Sequence, residues 1–175
     1  MPGVDWACDG GISGFVRLFV FPDHAWYWTY LVGPEIDGVI VVRDHEVPPP
    51  RVGLEIRSEG LWAELLCNTP GEHWQFGMEA FGVRLDTPED ALHGEIGERI
   101  AVGLDIEWEE PDVVHGEILV GRARYTIECP GRFAPDDQVH AAPPGDVVAR
   151  VLIPTEPGAR ERLLVQSAGG LGWFG

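Results

Sequence analysis

The residue types best suited to chemistry lie on one predicted hairpin, Gly60–Val83, which reads GLWAELLCNTPGEHWQFGMEAFGV. Its two alternating runs carry Glu64, His73 and Glu79. Two acids in one apolar pocket have different pKa values, so one serves as acid and the other as base near neutral pH. These three residues are the candidate catalytic set.

The register of this hairpin follows from its apolar positions. Pairing Leu65 with Phe76 places apolar side chains opposite each other, and a slip of one residue would bury polar ones. Glu64 and Glu79 then become diagonal neighbours. The same register sets Asn68 opposite His73, Leu66 opposite Gln75, Glu64 opposite Gly77 and Trp62 opposite Glu79.

The polar face of the hairpin also carries Trp62, Leu66 and Phe81. This mixture is typical of a half-polar cavity wall, and we expect the face to point inward, with Trp62 and Phe81 binding a ligand. An enclosed Glu79 would have a raised pKa, from desolvation first. If the face is open, Glu64 and Glu79 are solvated charges.

A second candidate surface combines aromatic and basic residues on neighbouring strands. An arginine among aromatic rings is expected to pair with an acid, to border a ligand pocket, or to pack its stem on surface rings. We predict that this surface contacts a ligand or partner. Its members are Arg17, Trp26, Trp28, Tyr30 and Arg43, with His45 extending it.

Strong catalytic signatures are absent from the sequence: there is no P-loop, no GxSxG elbow and no HExxH. Asp44-His45-Glu46 is dense, but neighbours in a strand point to opposite sides. The sequence therefore predicts no metal and no cofactor.

Period-2 runs divided by glycine and proline predict an all-β fold, an antiparallel meander closing into a lipocalin- or calycin-like barrel, with a β-sandwich as the alternative. Pro88–His93, with Thr87 as N-cap, allows at most one short helix. The predicted strands are Gly14–Phe21, Ala25–Val32, Val39–His45, Gly53–Ser58, Leu61–Asn68, His73–Leu85, Ile100–Glu109, Val113–Val120, Arg122–Cys129, Val147–Ile153 and Arg162–Gln166.

The chain of 175 residues is long enough for one domain. We predict a barrel lobe over residues 1–130, a loop over 131–145, and weaker strands over 146–175 that complete the same domain. Within the last segment, Ala168–Gly175 is expected to be a mobile tail apart from its Trp-Phe pair.

The net charge and the cysteines limit the classes of function that the sequence supports. The formal net charge is -17 and all 12 basic residues are arginine, which disfavours nucleic acid and anionic lipid. No apolar run is long enough for a membrane span or signal peptide. Cys8, Cys67 and Cys129 are dispersed, which indicates reduced, mostly buried thiols and a cytoplasmic location.

Several stretches between about residues 14 and 131 give a family resemblance. They are HAWYWTYLVG at His24–Gly33, DHEVPPPR at Asp44–Arg51, GLEIRSEGLW at Gly53–Trp62, EHWQFGMEAF at Glu72–Phe81 and HGEILVG at His115–Gly121. In these the chain resembles a bacterial calycin-like family distantly similar to carotenoid hydratases of the hydroxyneurosporene synthase type.

The resemblance implies two consecutive lipocalin-like barrels whose relatives bind or transform isoprenoid or polycyclic molecules. Some of these relatives hydrate a double bond, and some promote cycloadditions. This chain carries what looks like one lobe, because PGRFAPDDQVHAAPP stands after Cys129 where the family's second lobe opens. A site between two lobes would then need a homodimer.

The sequence thus predicts binding of a hydrophobic small molecule of isoprenoid, polycyclic or polyketide type in a barrel cavity. If the protein is an enzyme, it is a cofactor-independent hydratase or other lyase, isomerase or cyclase. The alternatives are a ligand carrier without chemistry and a structural lobe that dimerises through exposed aromatic residues.

Overall fold

A computed structural model describes residues 2–86 and 97–133, and the backbone of strands at 147–154, 161–167 and 170–174. All regular structure in these residues is β-strand. The strands are β1 Gly3–Trp6, β2 Ser13–Val20, β3 Ala25–Val32, β4 Val39–Val47, β5 Glu55–Ser58, β6 Leu61–Thr69, β7 His73–Leu85, β8 Glu98–Glu109, β9 Val113–Val120, β10 Ala123–Phe133, β11 Val147–Pro154, β12 Glu161–Ser167 and β13 Gly170–Phe174.

The first ten strands form one antiparallel sheet in the order β4-β3-β2-β1-β10-β9-β8-β7-β6-β5. Short turns join most neighbours in this order, whereas the pairing β1–β10 brings distant parts of the chain together. The end of β7 also pairs with β4, with Val41 opposite Val83. The hydrogen bonding therefore returns to its start and makes a ring of eight strands, β1 to β4 and β7 to β10.

Strand β7 makes this closure because it changes partners along its length. Residues 73–80 pair with β6, and residues 83–85 pair with β4. Gly82 stands at the changeover, where a Cβ would lie 2.7 Å from the carbonyl oxygen of Val41. Gly38, just before β4, has a φ of 82°, which favours glycine. Two glycines thus permit the close approach of the two strands.

The inside of the ring is a packed hydrophobic core to which every one of the ten strands contributes. Alternate residues of each strand point inward, as the period-2 pattern requires. Trp6, Tyr27, Phe76 and Met78 are at most 2% exposed. Among the residues described, side chains occupy this interior.

A second buried cluster lies on the outside of the ring, over β2, β3, β4 and the end of β7. It contains Phe15, Phe19, Trp26, Trp28, Tyr30, Val32, Val39, Val41 and Leu85. All eight residues of β3 are therefore buried, whichever face they occupy. The sheet has a water-facing outer surface on β6 to β8 but a covered one here.

Most predicted strands are confirmed; Ala25–Val32, His73–Leu85 and Val113–Val120 have the predicted bounds. One predicted bound is wrong: strand β10 continues through Pro130 to Phe133, into the predicted loop, because residues 131–133 pair with β1. The predicted mobile tail includes the backbone of β13, which pairs with β12, and its mobility stays a prediction. The predicted helix at 88–93 lies outside the described residues.

The expectation of three reduced thiols is also wrong. Cys8 and Cys129 form a disulfide with their Cα atoms 5.1 Å apart. The pairing of Trp6 with Gly131 brings the two cysteines together, although they are 121 positions apart in sequence. Cys67 has a free thiol and is exposed. The inference of a cytoplasmic location loses this premise, since disulfides are rare in the cytosol.

The described residues include no helix suited to crossing a bilayer.

Candidate functional site

The polar face of the hairpin β6–β7 lies on the outside of the ring. The predicted register is confirmed, with Leu65 opposite Phe76 and Trp62 opposite Glu79. Leu65 and Phe76 point into the core, so the alternate set faces outward. Phe81 is 55% exposed and Glu79 is exposed. The expectation that this face is enclosed is therefore wrong.

Only the end of the hairpin departs from the predicted register. His73 pairs with Thr69 rather than Asn68, because the strand is irregular between Cys67 and Thr69. One extra residue in β6 shifts the pairing next to the turn, as a β-bulge does.

The candidate catalytic residues do not meet at one point. Glu64 is opposite Gly77 and Glu79 is opposite Trp62, which keeps the two acids diagonal neighbours. His73 lies six residues before Glu79 along β7, or about 20 Å away at the rise of a strand. His73 instead contacts Glu107 of β8. His73 and Glu79 therefore do not form one compact cluster.

A depression opens on this outer face around Trp62 and Phe81. It has a volume of about 510 Å³, and Glu79, Ala101 and Leu119 also line it. The pairing explains its shape, since Glu79 is opposite Gly103, which is opposite Leu119. A glycine between larger side chains leaves a trough in the sheet surface. The trough continues past Gly103 into a smaller depression of about 220 Å³.

Charged groups border the depression. The Arg99 guanidinium lies 4.3 Å from the centre of the Phe81 ring. Glu55 accepts hydrogen bonds from Arg57 at 2.6 Å and from the Trp62 indole at 3.1 Å. These bonds, with that of Arg57 the stronger influence, lower the pKa of Glu55. Trp62 is thereby fixed in place by an ionised carboxylate.

A separate polar cluster occupies the other end of the same face. His73 Nε2 lies 2.6 Å from Glu107 Oε2, and Gln75 donates to Glu107 Oε1 at 3.2 Å. His115 Nε2 is 3.8 Å from Glu109 Oε2. Partial burial of Glu107 acts to raise its pKa, but the hydrogen bonds from His73 and Gln75 outweigh it, and the pKa is lowered.

Sequence reasoning missed this cluster because its members come from three strands. Gln75, Glu107 and His115 are paired with one another across β7, β8 and β9. His73 is paired with Glu109 two residues further along the same face. The alternation of residues in β8 was the available signal, because it places Glu107 and Glu109 on one face. The correct register between β7 and β8 would then have placed His73 beside them.

The predicted aromatic ligand surface is buried. Arg17, Trp28 and Arg43 are opposite one another on β2, β3 and β4. Trp28 is 0% exposed and Arg17 4% exposed. Arg43 lies 4.9 Å over the Trp28 ring. Of the three alternatives expected for Arg17, the structure shows pairing with an acid: Asp5 Oδ1 of β1 lies 2.6 Å from the guanidinium.

His45 extends this cluster, as the sequence indicated. Its ring lies 5.1 Å from that of Trp26 and 5.0 Å from that of Trp28. Burial, with help from the charge of Arg43 and against the charge of Asp44, lowers the pKa of His45 to about 4. The imidazole is therefore neutral at physiological pH and packs as an aromatic ring.

Comparison of the chain with protein-family models, with curated proteins and with solved structures gave no match. The resemblance to carotenoid hydratases therefore stays a prediction.

Proposed function

We propose that the protein binds a hydrophobic small molecule of polycyclic or isoprenoid type in the depression around Trp62 and Phe81. The observation that carries the proposal is the exposure of Phe81, 55%, beside a partly buried tryptophan in a trough of about 510 Å³. Ligand sites are typically concave, mostly apolar and of about 300–1,000 Å³. Water contact with these rings is costly and a ligand would relieve it.

The outer face is the favoured place because the interior is occupied. A ring of eight strands either is filled by its own side chains or holds one small ligand, and here the described side chains fill it. We propose that the ring is a closed barrel of the lipocalin or calycin type, with its described interior serving as core. The ligand then lies across the strands β6 to β9 instead of between them.

The border of the depression indicates the shape of the ligand. Trp62 and Phe81 offer flat aromatic surfaces, which favour a planar or extended apolar body. Arg99 supplies positive charge at the rim, where it lies over the Phe81 ring, whereas Arg57 is paired with Glu55. An anionic or strongly polar end group on the ligand would pair with the Arg99 guanidinium.

The proposal is one of binding without a chemical step. Glu79 lines the depression, but it faces water, and its neighbour Glu64 is only half-buried. Environments that separate the pKa values of two carboxylates require enclosure. Replacement of Glu79 by Gln tests this directly: binding is expected to persist, and no turnover of the bound compound is expected in either protein.

The binding test uses anilinonaphthalene sulfonate, a polycyclic anion whose fluorescence rises in apolar sites. Saturable binding is expected at one site per chain, with geranylgeranyl phosphate as a competitor. Phe81→Ser and Trp62→Ala are each expected to weaken it about tenfold, the equivalent of losing about 1.4 kcal/mol of apolar contact. Leu66→Ser is the matched control, since Leu66 is 43% exposed on the same face but does not line the depression.

Equal weakening by Leu66→Ser, or binding that does not saturate, contradicts the proposal. Dimerisation through this patch is the competing explanation. Dimerisation predicts that the parent protein is a dimer in sedimentation equilibrium and that Phe81→Ser converts it to a monomer. Ligand binding predicts that the parent protein and the Phe81→Ser variant are both monomers.

A further inference from the structure

We propose that His73, Glu107, Glu109 and His115 form a Zn²⁺ site on the outer face of β7, β8 and β9. This site is independent of the depression around Trp62 and Phe81. Gln75 separates the two along β7 and lies four residues from Glu79, or about 13 Å at the rise of a strand.

The distances between the ligand atoms suit a small divalent ion. One atom each from His73, Glu107 and Glu109 lies within 4.8 Å of the others. His73 Nε2 and Glu107 Oε2 are 2.6 Å apart, and His115 Nε2 and Glu109 Oε2 are 3.8 Å apart. Bonds of about 2.1 Å in a tetrahedron place ligand atoms about 3.4 Å from one another. The ligand atoms of His73, Glu107 and Glu109 therefore need only small adjustments, whereas His115 lies outside this mutually close group and reaches the ion through a rotation of its side chain.

Register holds the four residues in this arrangement. Glu107 is opposite His115, and His73 is opposite Glu109. Each residue lies within a strand that is paired on both sides, since β6 flanks β7 and β10 flanks β9. A site on paired strands is pre-organised, and the protein does not need to order a loop to bind the ion.

The neighbours of His73 and Glu107 are those expected around metal ligands. The side-chain amide of Asn68 lies 3.5 Å from His73 Nδ1. In the structure His73 Nε2 contacts the Glu107 carboxylate, so binding of the ion would move the ring proton from Nε2 to Nδ1, where the oxygen of a flipped Asn68 amide would accept a hydrogen bond from it. The Gln75 side-chain amide donates a hydrogen bond to the other carboxylate oxygen of Glu107. Such outer contacts fix the orientation of ligands.

The ligand types select the ion. Two imidazole groups favour Zn²⁺ over Mg²⁺ and Ca²⁺, which take oxygen ligands almost exclusively. Two carboxylates balance the charge of a divalent ion. The acidic chain, with net charge -17, also raises the local concentration of cations.

The test is calorimetric titration of the full chain with ZnCl₂, after removal of any affinity tag and in a Cys67→Ser background. This background removes the exposed thiol as a competing ligand. One Zn²⁺ per chain is expected, and an excess of Mg²⁺ should not displace it. His73→Gln and Glu109→Gln should each weaken the affinity at least about tenfold. Co²⁺ should give the visible absorption of a four-coordinate site.

His24→Gln is the matched control, because His24 also contacts a carboxylate, Asp23, at 2.7 Å but has no further ligand near it in the described residues. Zn²⁺ binding should be unchanged in this variant. Glu109 is 51% exposed, so Glu109→Gln keeps the fold even if His73→Gln does not. The proposal is overturned if no Zn²⁺ binds, or if Glu109→Gln binds it as tightly as the parent protein.

Discussion

Strands β2 to β4 and strands β6 to β8 have the same alternating, aromatic-rich pattern but different outer faces. On β3 both faces are buried, and Trp28 is 0% exposed. On the hairpin β6–β7 one face is buried, and the other carries exposed Leu66 and Phe81. Alternation therefore shows which side chains share a face, but not whether that face is covered.

The largest expected difference between the two regions is in paired tryptophan variants. Trp28→Ala should lower the free energy of unfolding by about 3–5 kcal/mol, since it removes a fully buried ring next to Tyr30 and Arg43. Trp62→Ala should cost less than about 1.5 kcal/mol, because Trp62 is only half-buried. Urea unfolding of both variants measures this. Equal losses would mean that the two outer faces are equally covered.

The next effect concerns the junction of the two regions, where β7 passes from β6 to β4. Gly82→Ala should destabilise the protein by about 1–3 kcal/mol, because the new Cβ would lie 2.7 Å from the Val41 carbonyl oxygen. Gly103→Ala is the control, since its Cβ would meet the side chain of Leu119 at 3.3 Å, and side chains yield more easily. Thermal unfolding compares them. A smaller loss for Gly82→Ala than for Gly103→Ala would refute the described closure.

A pH effect should follow from His45, which belongs to the covered region. Its pKa is lowered from 6.5 to about 4, chiefly by burial. Between these values the unfolded chain binds a proton that the folded chain does not, so stability falls as pH decreases from 6.5 to 4. Above this window His45 is neutral in both states and has no effect.

His45→Gln should remove this contribution, of about 1–2 kcal/mol once the partial exposure of the ring is allowed for. Urea unfolding at the two ends of the window measures it as the difference between the parent protein and the variant. The contributions of the other titrating groups to stability are the same in both proteins and cancel in this difference. An identical loss on acidification in both proteins would show that His45 is not desolvated.

The smallest expected effect is on the open face. Leu66→Thr should change the free energy of unfolding by no more than about 0.5 kcal/mol, because the side chain is 43% exposed and threonine suits a strand. Chemical denaturation checks it. A loss above about 2 kcal/mol, as expected for a buried leucine, would mean that something covers this face as well.

The sequence by itself determined the all-β architecture, most strand bounds and the register of the hairpin. These depend on the period-2 alternation and on Gly and Pro turns, which are local properties of the chain. Pairing Leu65 with Phe76 follows from four or five residues on each side, and the structure confirms it. An acid beside Arg17 was one of three alternatives that the sequence left open, and the structure selects it, with Asp5 as the partner.

Only the tertiary structure decided which outer face is covered and which distant residues meet. The disulfide Cys8–Cys129 requires the pairing of β1 with β10. The cluster of His73 with Glu107 and Glu109 requires β7 beside β8 in one register among several. Such contacts join residues far apart in sequence, and local patterns carry no record of them. The exposure of Glu79 and the burial of Trp28 depend in the same way on which elements pack against each side of the sheet.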